Sequence, residues 1–156
     1  MYIIRKIKKG RSDKVNKLLR VVLILIIIAL AISAVIHLFS PATAGGHLEN
    51  DTELGWKREV GIWNLAILPI LISIQFKQGY PFLTIIVLSL FIGHIGLGTN
   101  HLFSFMGKSG EMIYIFVAIG NYLFALLLIL GLRIERLQYK DDTKLNKKSQ
   151  IKWAQF

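Results

Sequence analysis

Seven side chains that can carry protons, bind ions or donate hydrogen bonds lie inside or beside long apolar stretches of this chain. They comprise a carboxylate, two imidazoles, three amides and a phenol: Glu59, His94, His101, Asn64, Asn100, Asn121 and Tyr114. Polar groups in apolar surroundings are costly, so they need partners or a function. We take these seven residues as candidate ligand- or proton-binding residues.

Glu59 comes directly before an apolar run that extends from Ile62 to Phe76. A carboxylate in this position suits a proton carrier, a cation ligand or a general base. The alternative is an interfacial carboxylate that pairs with Lys57, Arg58 or water. The sequence leaves both interpretations open.

His94 and His101 are seven residues apart, about two helical turns, so a helix places them on one face. Tyr114 and Asn121 have the same spacing. Neutral imidazole is a ligand for zinc, copper, iron or haem, so His94, His101 and Glu59 form a candidate metal set. The alternative for His94 is a hydrogen bond across helices, to Asn121 or Tyr114, that holds the helices together.

The surroundings of these residues are those of a membrane protein. The chain is 54% hydrophobic and only 18% charged, with a mean hydropathy of +0.55, which disfavours a soluble domain. It has no cysteine, which excludes disulfides and thiolate metal sites. Four apolar runs have the length of a membrane span, at about 21–39, 56–76, 82–105 and 112–132. We predict an all-α bundle of four transmembrane helices over 21–132, between a basic N-terminal segment (1–20) and a basic C-terminal tail (133–156).

Features within these runs predict how the helices are joined and packed. Glycines, Pro41 and several acids make 40–55 a loop, and Pro69 lies inside the second run, where membrane helices tolerate proline. Small and polar residues recur on one face of the third helix, where they are expected to let another helix approach closely. This predicted stripe contains Ser89, Gly93, Gly96 and Asn100.

The distribution of positive charge predicts the orientation. Of the 19 lysines and arginines, eight precede the first run, seven follow the fourth and Lys77 lies between the second and third. Only Lys57, Arg58 and Lys108 fall on the other side. The positive-inside rule therefore places both termini in the cytoplasm. We predict a multi-pass protein of a prokaryotic plasma membrane. The net charge of +10 is interpreted as contact with an anionic bilayer and not with nucleic acid.

This orientation places all seven candidate residues in the outer half of the membrane. Glu59 is at the outer mouth of the second helix, with Asn64 about 8 Å deeper. Asn121 is about 13 Å below the start of the fourth helix. Trp56, Trp63, Tyr80 and Tyr114 fit interfacial aromatic belts. We predict an outward-facing polar cavity between the second, third and fourth helices.

One stretch of the chain resembles a known family. Arg58-Glu59-Val60-Gly61-Ile62-Trp63-Asn64-Leu65-Ala66, followed by Ile92-Gly93-His94-Ile95, resembles the small four-helix membrane proteins of bacterial and archaeal domain-of-unknown-function family six-seven-nine-zero. The resemblance covers roughly Leu54 to Leu132. It implies a four-helix membrane architecture with Glu59, Asn64 and His94 as its notable positions, and it implies no activity. Lys57-Arg58 and Asn100-His101 depart from the family pattern.

Three function classes fit this pattern. The first is a membrane protein that binds an ion or small molecule, with proton-coupled transport as its most concrete form; a transport path through four helices predicts a homo-oligomer. The second is a membrane-embedded enzyme that uses a metal ion, haem or quinone. The third is a structural or accessory subunit whose polar residues hold helices together without a ligand.

Overall fold

The computed structural model describes residues 15–40, 51–76, 79–107 and 112–153. All regular secondary structure in these residues is helical, which confirms the predicted all-α class. The four helices are α1 (Lys17–Phe39), α2 (Asp51–Ser73), α3 (Tyr80–Gly107) and α4 (Met112–Trp153). The predicted basic segment over 1–14, the loop residues 41–50 with His47, and the turn 108–111 lie outside the described residues.

Three of the four helices are long and apolar enough to cross a membrane, namely α1, α3 and the part of α4 up to Leu145. Helix α2 is not among them, because Lys57, Arg58 and Glu59 leave an apolar part shorter than the ~20 residues of a usual span. Helix α2 also begins at Asp51 and not near Trp56, so the last five residues of the predicted loop 40–55 belong to the helix.

Helix α4 does not stop where its apolar run stops. It continues past Leu132 to Trp153 as one helix. After Gly131 the sequence contains no glycine or proline up to Trp153, and arginine, lysine, leucine and glutamine favour helix. The polar tail predicted after residue 132 is therefore mostly helical.

The described residues form two compact units, 15–19 with 79–153, and 20–76. In the first unit α3 and α4 are antiparallel neighbours, and most of their buried positions are separated by three, four or seven residues. On α3 these are Leu83, Val87, Leu90 and Gly98, and on α4 they are Ala118, Ala125, Leu128, Leu132 and Glu135. This spacing is that of a coiled-coil seam. We call the facing surfaces of α3 and α4 along this row the α3–α4 seam.

In the second unit the end of α1 packs against α2 at Gly61. A Cβ atom on Gly61 would lie 2.9 Å from Leu38 Cγ and 3.1 Å from His37 Cβ. Glycine at this position therefore allows a helix contact that a larger residue would obstruct.

Candidate functional site

His94 lies in the α3–α4 seam and is bonded to Asn121. The His94 Nδ1 atom is 2.8 Å from Asn121 Oδ1, and the Asn121 Nδ2 atom donates a 2.9 Å hydrogen bond to the Val117 carbonyl. Because Asn121 presents its oxygen to the ring, Nδ1 must carry the proton and donate it. In the neutral ring the lone pair is then on Nε2, which is the nitrogen left to accept a proton or bind a ligand. The structure thus confirms the interhelical partner expected for His94.

His101 lies two turns from His94 on the same face of α3. Its ring stacks on Tyr114, with 6.1 Å between the ring centroids and 27° between the ring planes. The His101 Nδ1 atom is buried and has no hydrogen-bond partner among the described residues. A buried polar atom without a partner costs about 1–3 kcal/mol, so this nitrogen is a natural point for a ligand or water to bind.

Tyr122 joins the two helices close to these histidines. Its hydroxyl is 3.0 Å from Thr99 Oγ1, and a Cβ atom on Gly98 would lie 3.0 Å from the tyrosine ring. The Phe124 ring lies 5.4 Å from the ring of His94. Sequence reasoning missed Thr99, Gly98 and Tyr122. The spacing of Gly98 four residues after His94 was the available signal, since it places a small residue on the same face.

The first unit therefore brings together four of the seven predicted site residues, namely His94, His101, Tyr114 and Asn121. Asn100 belongs to the same helix but is exposed. On a helix that turns about 100° per residue it lies about 100° from His101 and about 120° from His94, and so outside the seam.

Asn64 and Glu59 belong to the second unit. Asn64 Nδ2 donates a 2.9 Å hydrogen bond to Ser33 Oγ. His37 Nδ1 is 2.8 Å from the Ser33 carbonyl and donates to it, so Ser33, His37 and Asn64 form a local polar cluster. The Glu59 side chain is exposed, whereas the Lys57 side chain, two residues before it, is buried.

The described residues do not contain a group of three or more histidine, aspartate or glutamate side chains placed to hold a metal ion. His94 and His101 are separated by about 10 Å of rise along α3. Two ligands of one ion, each at about 2 Å from the metal, lie much closer together than that. The metal set of Glu59, His94 and His101 stays a prediction.

Among the described residues of the first unit, the predicted small-residue stripe on α3 does not face α4. A Cβ atom on Gly93 or on Gly96 would meet no atom within 4 Å, and Ser89 is exposed and bonds to the Ile85 carbonyl of its own helix. Within the first unit, α3 packs on α4 through the face of His94, Gly98 and His101. The stripe lies on a different face of the helix.

A second buried polar cluster, which the sequence did not predict, lies where the apolar run of α4 ends. Glu135 Oε2 accepts hydrogen bonds from the backbone nitrogen and from Nδ2 of Asn16, each at 2.9 Å. Asn16 Nδ2 also donates to the Gly131 carbonyl, and its Oδ1 accepts the backbone N–H of Leu19 at 3.0 Å. Asn16 thus caps the start of α1 and joins it to α4.

Comparison with protein-family models, curated proteins and solved structures found no match. The resemblance to family six-seven-nine-zero stays a prediction.

Proposed function

We propose that this protein is a membrane protein that binds a proton, an ion or a small solute at the histidines of the α3–α4 seam. Proton-coupled transport by a homo-oligomer is the most concrete form of this function. His94 and His101 are the binding residues, with Asn121 as the residue that orients His94 and Tyr114 as the ring that supports His101.

The observation that carries this proposal is the buried, unpartnered Nδ1 atom of His101. A site that only joins helices is expected to have its buried polar atoms satisfied within the protein. His94 meets that expectation and His101 does not. Intramembrane histidines, like aspartates and glutamates, form proton relays in pumps and transporters.

The separation of the two histidines favours protons or a solute that spans both rings over one shared metal ion. The His94 tautomer leaves Nε2 as a proton acceptor, and His101 offers a second imidazole about 10 Å further along the helix. The alternative function is a membrane-embedded enzyme that uses a metal ion, haem or quinone, and a bound chromophore would support it.

A structural role is the second candidate. It is favoured by the position of His94 and Asn121 inside the seam, since polar residues at such positions fix the register of paired helices. The Asn64–Ser33 bond joins α1 and α2 in the same manner.

The proposed arrangement has four membrane spans with both termini in the cytoplasm of a prokaryote. The charge distribution supports it. So does the Asn16–Glu135 contact, because it joins the start of α1 to the end of the apolar run of α4. Those two ends are on the same side of the bilayer only if an even number of spans separates the termini.

The test uses purified protein in sealed vesicles, wild type beside His101→Phe and His94→Leu, with Asn100→Ala as a control outside the seam. An imposed proton gradient and a trapped pH-sensitive dye measure proton flux, while metal analysis and the visible spectrum test for a cofactor. We expect proton flux in the wild type and the control, and at least tenfold less in His101→Phe at an unchanged melting temperature. If no variant changes flux and the seam variants only lower the melting temperature, the structural role is correct.

A further inference from the structure

The depth at which α4 leaves the membrane can be read from its contact with α3. Helix α3 has 28 residues, or about 42 Å, which matches the 40–45 Å of a bilayer with its headgroups. Its first residue, Tyr80, stacks on Tyr139 of α4, with ring centroids 4.7 Å apart and an interplanar angle of 15°. Paired tyrosines at this level suit the membrane–water interface. The segment between Leu132 and Tyr139, about 10 Å long, therefore lies among the headgroups.

Basic residues form one stripe along α4 from this level outward. Their separations of three or four residues confine them to an arc of about 80° on the helix surface. The stripe consists of Arg133, Arg136, Lys140, Lys144 and Lys147, all of which are exposed. The buried Glu135 faces Asn16 on another side of the helix, and Asp141 and Asp142 fall outside the arc.

We propose that Arg133, Arg136 and Lys140 form a binding site for the phosphate of an anionic phospholipid. These three residues rise by about 4.5 Å and 6 Å along one face, within reach of a single headgroup. Their long apolar stems suit the boundary of the hydrocarbon, and arginine binds phosphate through two parallel hydrogen bonds. Lys144 and Lys147 begin about 8 Å beyond Tyr139, close to one Debye length from the lipid phosphates.

This inference requires that α4 crosses a membrane, but it does not depend on the histidine site. Failure of the lipid site therefore leaves the proton-binding proposal untouched, and the converse also holds.

The experiment places the full chain in nanodiscs of zwitterionic lipid. A donor fluorophore is attached to Thr143→Cys, the sole cysteine in the chain, and acceptor-labelled phosphatidylglycerol or phosphatidylcholine is added. We expect energy transfer to favour phosphatidylglycerol. Arg136→Gln with Lys140→Gln is expected to reduce that preference by roughly fivefold for each charge removed.

The control is Lys144→Gln with Lys147→Gln, which removes the same charge from the same face further from the membrane. It is expected to change the preference less than twofold. Equal effects of the two pairs would show diffuse attraction without a site and overturn the proposal. An effect of the outer pair alone would place the attraction beyond Arg136 and Lys140 and would overturn it as well. Melting curves of each variant establish that the pairs fold equally well.

Discussion

At the scale of single residues, the polar side chains of the α3–α4 seam differ in how completely they are satisfied. His94 has a defined donor role, because Asn121 offers it only an oxygen. His101 has an aromatic neighbour in Tyr114 but a buried nitrogen without a partner among the described residues. This difference makes the two histidines separately testable.

Replacing Asn121 tests the positioned histidine. We expect Asn121→Ala to destabilise the protein by about 0.6–1.7 kcal/mol, which runs from the average to the largest value found for interhelical hydrogen bonds in a membrane. Nitrogen-15 NMR of labelled histidine should show the proton of His94 on Nδ1 in the wild type and no such preference in the variant. Asn100→Ala, on the exposed face of the same helix, should change neither quantity. A wild-type His94 protonated on Nε2 would contradict the assignment.

Glycine substitutions test the close helix contacts. A Cβ atom on Gly131 would lie 2.9 Å from Leu19 Cβ and 3.1 Å from Leu19 Cα, a backbone atom that cannot turn away. We expect Gly131→Ala to lower the free energy of unfolding by about 1–3 kcal/mol, as overpacking does. Gly120→Ala on the same helix meets no atom within 4 Å and should be neutral or stabilising by up to about 1 kcal/mol. Chemical or thermal unfolding in detergent compares the two, and equal effects would rule out this contact.

At the scale of elements, the apolar runs predicted α3 and the start of α4 closely. Predicted spans of 82–105 and 112–132 correspond to helices that begin at Tyr80 and Met112. The far end of α4 was missed because hydropathy predicts only the part of a helix that lies in the membrane. Residues that favour helix extend α4 beyond that part to Trp153. The start of α2 was missed because its first turn is polar.

For the site, the sequence predicted which residues share a face of one helix, but not which residues of two helices meet. Seven-residue spacings correctly grouped His94 with His101 and Tyr114 with Asn121, since helix geometry alone determines which residues share a side. The sequence could not show that Asn121 faces His94 while Asn100 does not, because this depends on how α3 and α4 are aligned. Asn16 and Glu135 are far apart in the chain and carry no periodic signal that relates them.

The contact between the start of α1 and α4 gives a prediction at this scale. Asn16→Ala removes the cap of α1 and both of its side-chain bonds to α4, and it leaves the buried Glu135 with one donor fewer. Loss of a cap costs about 0.5–2 kcal/mol. We expect Asn16→Ala and Glu135→Gln together to cost less than the sum of the single changes, by 0.5 kcal/mol or more, as for residues in one hydrogen-bond network. Strict additivity in this double-mutant cycle would show that the two side chains act independently.

At the scale of the whole molecule, the function depends on whether α2 crosses the membrane. Three helices have the length and composition of a span, and α2 has a charged first half. With three spans the termini lie on opposite sides, and with four they lie together. The positive-inside rule and the Asn16–Glu135 contact both favour four, because they assign the start of α1 and the end of the apolar run of α4 to one side.

The absence of native cysteine makes this arrangement directly measurable. Single cysteines at Ser40, Phe76, Met106 and Thr143 are labelled in intact cells with a membrane-impermeant maleimide. Four spans predict labelling at Ser40 and Met106 and protection at Phe76 and Thr143 until the cells are opened. If α2 does not cross, Phe76 is labelled together with Ser40, whereas Met106 is protected and Thr143 becomes accessible. The last three sites, Phe76, Met106 and Thr143, are thereby inverted as a group, so a single misplaced label cannot imitate that result. Of these two patterns, the four-span one places the His94 half of α3 towards the outside, where the proposed proton site would receive protons from the external medium.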